Sequence, residues 1–148
     1  MICGYKKALT VLVQHANKLG FVVDLYSDDV SMVTWEKLNY PCEIKIEKRL
    51  PVEEKGYVLL HELGHHELRK DWSEYKRVMP IAAYAESVKP KKYKRRIGYY
   101  VSCVDEEFKA WDAGLLLANV LGIRVRKGVW NRLKSKCLMS YIRHFGKK

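Results

Sequence analysis

The residues best equipped for chemistry in this chain are His61 and His65, with Glu62 between them, in the run His61-Glu62-Leu63-Gly64-His65. Residues four apart on an α-helix lie on one face, one turn above the other. Two neutral imidazoles at that spacing can bind one ion. Glu62 falls about 100° further round the helix, near enough to act on a metal-bound water without being a ligand. Two nitrogen ligands and an adjacent carboxylate base are what the HExxH spacing supplies. Zinc lowers the pKa of its water towards ~7, so Glu62 is the candidate catalytic residue, taking the proton and passing it to a leaving amine. Val58, His61, His65 and Leu68 share one helical face, which sets the ligands among apolar residues. The competing reading is a surface helix that carries His and Glu by chance.

Two histidines leave a catalytic zinc one protein ligand short. Position 71, where a metzincin would carry its third histidine, is Asp71. Ligation by Asp71 needs the chain to turn back at a glycine three residues after His65. Leu68 stands there, so the helix continues and Asp71 points elsewhere. Glu107 is the better candidate. With Ala110, Trp111, Gly114, Ala118 and Leu121 it forms one stripe of a helix expected from about Asp105 to Leu121. If that stripe packs on the metal helix, Glu107 faces the core, where a charge must be paired or bind a metal. Ala110 and Gly114, with Gly64 opposite, would permit close approach. The plainer reading places Glu107 in an acidic first turn with Asp105 and Glu106, and Glu106 is the alternative ligand.

These residues need elements to position them. Tyr5 to Leu19 reads as an amphipathic helix ended by Gly20. Phe21–Tyr26, Met32–Trp35 and Cys42–Glu47 are short, rich in β-branched or aromatic residues and separated by turn residues, so they read as strands. A helix starts at Pro51, with Glu53 and Glu54 at its positive end, and runs through the motif to about Lys70. An irregular stretch containing Pro80 and Pro90 follows. The 105–121 helix and a last helix, about Trp130 to Phe145, complete the chain. The order implies one α+β domain over residues 1–148, with a sheet of about three strands under the motif helix. His66 and Glu67 are expected to turn away from the site, solvated or backing it. Tyr84, Tyr93, Tyr99 and Tyr100 include candidate oxyanion donors, and Trp35, Trp72, Trp111 and Trp130 read as packing.

The net charge is +11 and unevenly spread. Lys91, Lys92, Lys94, Arg95 and Arg96 sit in an acid-free run, and Gly122–Lys148 carries nine basic residues and no acid. Such runs attract an anionic partner, whether nucleic acid or an acidic protein surface, or are merely solvated. Cys3, Cys42, Cys103 and Cys137 show no CxxC pair, so reduced thiols are expected rather than disulfides or a cysteine zinc site. No apolar run is long enough to span a membrane, and Met1-Ile2-Cys3-Gly4-Tyr5 lacks the order of a secretory signal. A cytoplasmic location is the expectation.

A short sheet, then Leu59-Leu60-His61-Glu62-Leu63-Gly64-His65-His66, then a helix with Glu107 ahead of x-x-Ala110, resembles the ImmA/IrrE-type metallopeptidases over roughly residues 40 to 121. The resemblance implies a zincin-like fold, zinc held by His61, His65 and Glu107, and Glu62 as base. It also implies a bacterial or phage origin and a protein substrate such as a repressor. The family usually continues Ala-Asn-x-Phe-Ala and ends near a Met-Pro. This chain has Ala110-Trp111-Asp112-Ala113-Gly114 and no Met-Pro at that helix's end. The rival expectation is a nucleic-acid-binding or regulatory protein with a structural or vestigial zinc site. No helix-turn-helix, zinc-finger or RNA-binding signature supports it.

Overall fold

The computed structural model describes residues 1–28, 31–37, 40–87 and 97–147. Helix α1, Tyr5–Lys18, buries one stripe, Ala8, Leu12 and Ala16. Gly20 follows at φ 96°, a left-handed conformation that glycine adopts without a Cβ penalty, and it turns the chain into the sheet. Strands β1, Val22–Ser27, and β3, Tyr40–Glu47, pair in parallel, with Val23 opposite Ile44. Strand β2, Met32–Lys37, runs antiparallel along β3. Alternation along β3 sends Ile44 and Ile46 into the core, with Glu43, Lys45 and Glu47 on the other face.

Helix α2, Val52–Arg69, carries the histidine motif and is the axis of the molecule. Glu53 and Glu54 lie in its first turn, where the helix dipole favours acids. From Leu59 to His66 every residue is buried, so this stretch is covered on all sides. Lys55 is buried too, and its ammonium donates to the Leu25 carbonyl at 2.7 Å, tying α2 to β1.

Helix α5, Ile97–Val120, lies against α2 at unusually short range. A Cβ placed on Gly64 would meet the Ala110 carbonyl oxygen at 1.9 Å, and one on Gly114 would meet the Leu60 carbonyl oxygen at 2.4 Å. Both obstacles are backbone, which has no rotamer to change. The small residues expected to permit close approach are therefore required for it.

Two expectations are corrected. The stretch after α2 is not irregular: it forms α3, Trp72–Val78, and α4, Pro80–Ser87. Pro80 opens α4, a position where its missing N–H costs no hydrogen bond. Tyr75, Met79, Ala82 and Ala83 make a small second core there, packed by Leu68 and Trp72. Helix α5 also begins at Ile97 rather than Asp105. Its opening, Ile97-Gly98-Tyr99-Tyr100-Val101, is aromatic and β-branched and has weak intrinsic helix preference, so tertiary packing decides.

Helix α6, Lys127–Gly146, is clamped to the start of α2. Arg126 pairs with Glu53, and Arg132 Nη2 reaches Glu54 at 2.6 Å. Lys134 pairs with Asp112 at 2.6 Å, so three cations of the acid-free C-terminal run are engaged within the chain. Lys91, Lys92, Lys94, Arg95 and Arg96 lie outside the described residues. The molecule is α+β and mostly helical, as expected, and no described helix is long and apolar enough to cross a membrane.

Gly64→Ala is expected to destabilise the fold by about 3 kcal/mol or more, because the overpacking strikes backbone. Gly128→Ala, in α6 with nothing within 4 Å of the added carbon, is expected to be neutral or to stabilise by up to about 1 kcal/mol. Urea unfolding midpoints of the two variants check this.

Candidate metal centre

The close approach of α2 and α5 delivers Glu107 to the histidines. His61 Nε2 lies 3.2 Å from Glu107 Oε2, and His65 Nε2 lies 3.3 Å from Glu107 Oε1. All three side chains are buried. His61, Glu62 and His65 each offer a donor atom within 4.8 Å of the others. The structure thus brings His61, Glu62, His65 and Glu107 to one place. These His and Glu groups are able to bind a metal ion.

The donor set fits such an ion. A tetrahedral zinc with bonds of about 2.0–2.2 Å sets its nitrogen and oxygen ligands about 3.4 Å apart. His61 Nε2 lies 3.2 Å from Glu107 Oε2 and His65 Nε2 lies 3.3 Å from Glu107 Oε1, near that length, with each histidine facing a different oxygen of the carboxylate. The donors, two imidazoles and a carboxylate, are those of an open zinc site.

Each histidine is oriented differently. His61 stacks on the buried Trp111 ring, with centroids 4.4 Å apart and planes 16° apart. Its Nδ1 is buried with no hydrogen-bond partner among the described residues, so the Trp111 stacking and the Glu107 contact at Nε2 set that ring. His65 Nδ1 instead faces Glu106 Oε1 at 3.5 Å. Glu106 is held in turn by Arg69, whose Nε and Nη2 donate at 2.9 and 2.7 Å, and by the Tyr75 hydroxyl, which donates at 2.8 Å. Arg69 Nη1 also reaches Glu86 at 2.6 Å. Glu106, the alternative ligand from sequence, therefore backs His65 through its far nitrogen. A carboxylate there fixes the tautomer and raises the basicity of a ligating imidazole.

Asp71 lies away from the site. It caps α3, accepting the Glu74 amide at 3.1 Å. His66 was expected to be solvated or to back the site. It is buried, packed edge-on against Phe21 at 5.4 Å, and burial lowers its pKa. On a helix covered all round, facing away from the metal donors means facing a second wall of the core. Trp111 and Trp130 are core residues, as expected.

Two residues of α6 complete the site and carried no signal in the sequence. Cys137 Sγ lies 3.5 Å from Glu107 Oε2. Burial pushes the Cys137 thiol up to about 12, and the Glu107 charge adds to this. Tyr141, one turn further on, lines the same cleft, and burial and a hydrogen bond to Glu107 keep its hydroxyl protonated. Among the candidate oxyanion donors, Tyr84 is half exposed, and Tyr99 and Tyr100 open on a neighbouring cavity behind His65. Tyr93 lies outside the described residues. The cleft holds about 620 Å³ and is walled by Met32, Leu50, Val58 and Leu133 beside the donors. No family model, curated protein or solved structure matches this chain.

Buried charges here compensate one another. Burial alone would lower the His65 pKa, but hydrogen bonds to Glu106 and Glu107 outweigh it and raise it to about 10. Burial alone would raise both glutamates; His65 and Arg69 hold Glu106 below its usual range, and His61 and His65 hold Glu107 below it. A raised histidine stabilises the fold below its ordinary 6.5 and loses that contribution as pH climbs towards about 10. Lowered carboxylates stabilise above their ordinary 4.5 and lose it as pH falls. The chelated, metal-free protein is therefore expected to be most stable between pH 4.5 and 6.5. Metal uptake requires a neutral His65, so added zinc is expected to reverse the alkaline loss. Thermal melts across pH, with chelator and with zinc, check both.

Proposed function

We propose that this chain is a zinc-dependent metallopeptidase with a zincin-like domain, related to the ImmA/IrrE type, that cleaves a peptide bond of an intracellular protein substrate. The observation that supports the reading is that Glu107 faces both His61 and His65, one through each carboxylate oxygen, while Glu62 groups with the same two histidines, in a largely apolar cleft. A purely structural site would have no use for a buried carboxylate one residue past its first ligand.

In this reading His61 and His65 hold the ion from α2 and Glu107 holds it from α5, with the sheet of β1, β2 and β3 beside the cleft. Bound zinc supplies Lewis acidity towards an amide carbonyl and makes water acidic near neutral pH. The Glu62 carboxylate would accept a proton from a water held beside it and later give it to the leaving amine. The Tyr141 hydroxyl donates a hydrogen bond towards the carbonyl oxygen as negative charge gathers on it. Glu106 keeps the His65 ring in place throughout. Met32, at the start of β2, lines the cleft, so an extended peptide can run beside that strand while the apolar wall takes a side chain. The substrate class follows the resemblance: one or a few cytoplasmic proteins, a repressor among them. The basic segment Lys91–Arg96 is proposed to contact an acidic partner or nucleic acid.

Three variants test the assignment. Wild-type protein is expected to bind one zinc per chain, Glu107→Ala to lose it, and Asp71→Ala to keep it. Glu62→Gln is expected to retain zinc and fold while activity drops by ~10²–10⁴, the usual cost of losing a general base. Metal analysis of purified protein and cleavage of proteins encoded beside this one provide the readouts. Full activity in Glu62→Gln with zinc bound would remove Glu62 from the mechanism.

A further inference from the structure

Three helices, not two, supply metal-ligating atoms to this site. Donor atoms of His61 on α2, Glu107 on α5 and Cys137 on α6 lie within 4.8 Å of one another, and His65 reaches this group through the other Glu107 oxygen, Oε1, at 3.3 Å. Cys137 Sγ is 3.5 Å from the same Glu107 Oε2 that lies 3.2 Å from His61 Nε2. With zinc–sulfur and zinc–oxygen bonds of about 2.3 and 2.1 Å, a tetrahedral ion sets a sulfur and an oxygen ligand about 3.6 Å apart. The 3.5 Å contact, in which the Cys137 thiol donates to Glu107 Oε2, is close to that separation. Cys137 lines the cleft and also packs against the main core, so its position is fixed by the seating of α6. Trp130 and Leu133 are buried, and Arg126 and Arg132 hold the start of that helix to the first turn of α2.

We infer that Cys137 is a fourth donor to the ion held by His61, His65 and Glu107, so that α6 closes the metal centre. This rests on the zinc reading above. Four protein ligands make a saturated site, whereas hydrolysis needs one position left open. The seated arrangement is then a latent one. Turnover requires Cys137 Sγ to leave the ion, by a shift of α6 around its clamped start. The position a substrate would take is thus filled by the chain itself until a substrate or partner displaces Cys137.

Cobalt(II) loading of the metal-free full chain tests this, because thiolate–cobalt ligation gives a near-ultraviolet charge-transfer band that imidazole and carboxylate do not. Wild type and Cys3→Ser are expected to show the band. Cys137→Ser and Cys137→Ala are expected to lack it while still taking up cobalt. Removing partners that merely orient ligands weakens metal binding ~10–100-fold, and loss of a direct donor is expected to weaken it by at least about tenfold. Stoichiometric cobalt binding by wild type with no sulfur band, or a band retained in Cys137→Ser, would overturn the inference and leave the zinc reading standing. Failure of wild type to bind cobalt or zinc at all would overturn both. Absence of the band in cobalt-loaded wild type decides against the inference even if the cysteine variants fold poorly.

Discussion

The contact on which the rest depends is the backbone approach of α2 and α5 at Gly64, Ala110 and Gly114. Side chains normally hold two helices 8–10 Å apart. Here carbonyl groups occupy the places where Cβ atoms would be. That shortening matters because Glu107 sits one turn before Ala110 on α5, and His61 and His65 sit either side of Gly64 on α2. Glutamate has a fixed reach. Its carboxylate touches both imidazoles only because the two backbones meet beside it. Small residues at the crossing are thus as much a part of the metal centre as the donors themselves.

Bringing those donors together creates an electrostatic problem that the surrounding residues solve. Glu106 and Glu107 are adjacent in sequence and both buried, which would be costly for two bare carboxylates. Arg69, from the last turn of α2, and Tyr75, from α3, take up Glu106. The two histidines take up Glu107. The small second core around Tyr75 and Met79 therefore has a use beyond stability: it seats the hydroxyl that steadies Glu106, which steadies His65. A divalent ion would replace the proton on His65 and still leave every carboxylate facing positive charge.

The sequence revealed what depends on local spacing and concealed what depends on long-range packing. His61, Glu62 and His65 were readable because a helix repeats every 3.6 residues wherever it lies. Glu107 was readable because a carboxylate heading a stripe of Ala110, Gly114 and Ala118 has few reasons to be there. The grouping of Arg69, Tyr75 and Glu106 was not, since nothing local links an arginine at one helix end to a glutamate on another. Cys137 and Tyr141 looked like ordinary members of a basic amphipathic helix until α6 was seen to seat on the site. His66 was misread for a related reason: periodicity gives the direction of a side chain, but not whether water or protein lies that way. The early start of α5 and the helices α3 and α4 were hidden because Tyr99, Tyr100 and Val101 favour strands locally, and because a proline can open a helix as well as end one.

The clamp between α6 and the start of α2 bears on how this protein comes into being. Arg126 and Arg132 meet Glu53 and Glu54 across about half the chain, and His61 meets Glu107 across nearly a third of it. During synthesis the histidine helix therefore emerges long before the carboxylate that faces it, and the helix that covers the cleft emerges later still. The meeting of His61, His65 and Glu107 is complete only once α5 has docked on α2, so a half-made chain carries no finished site.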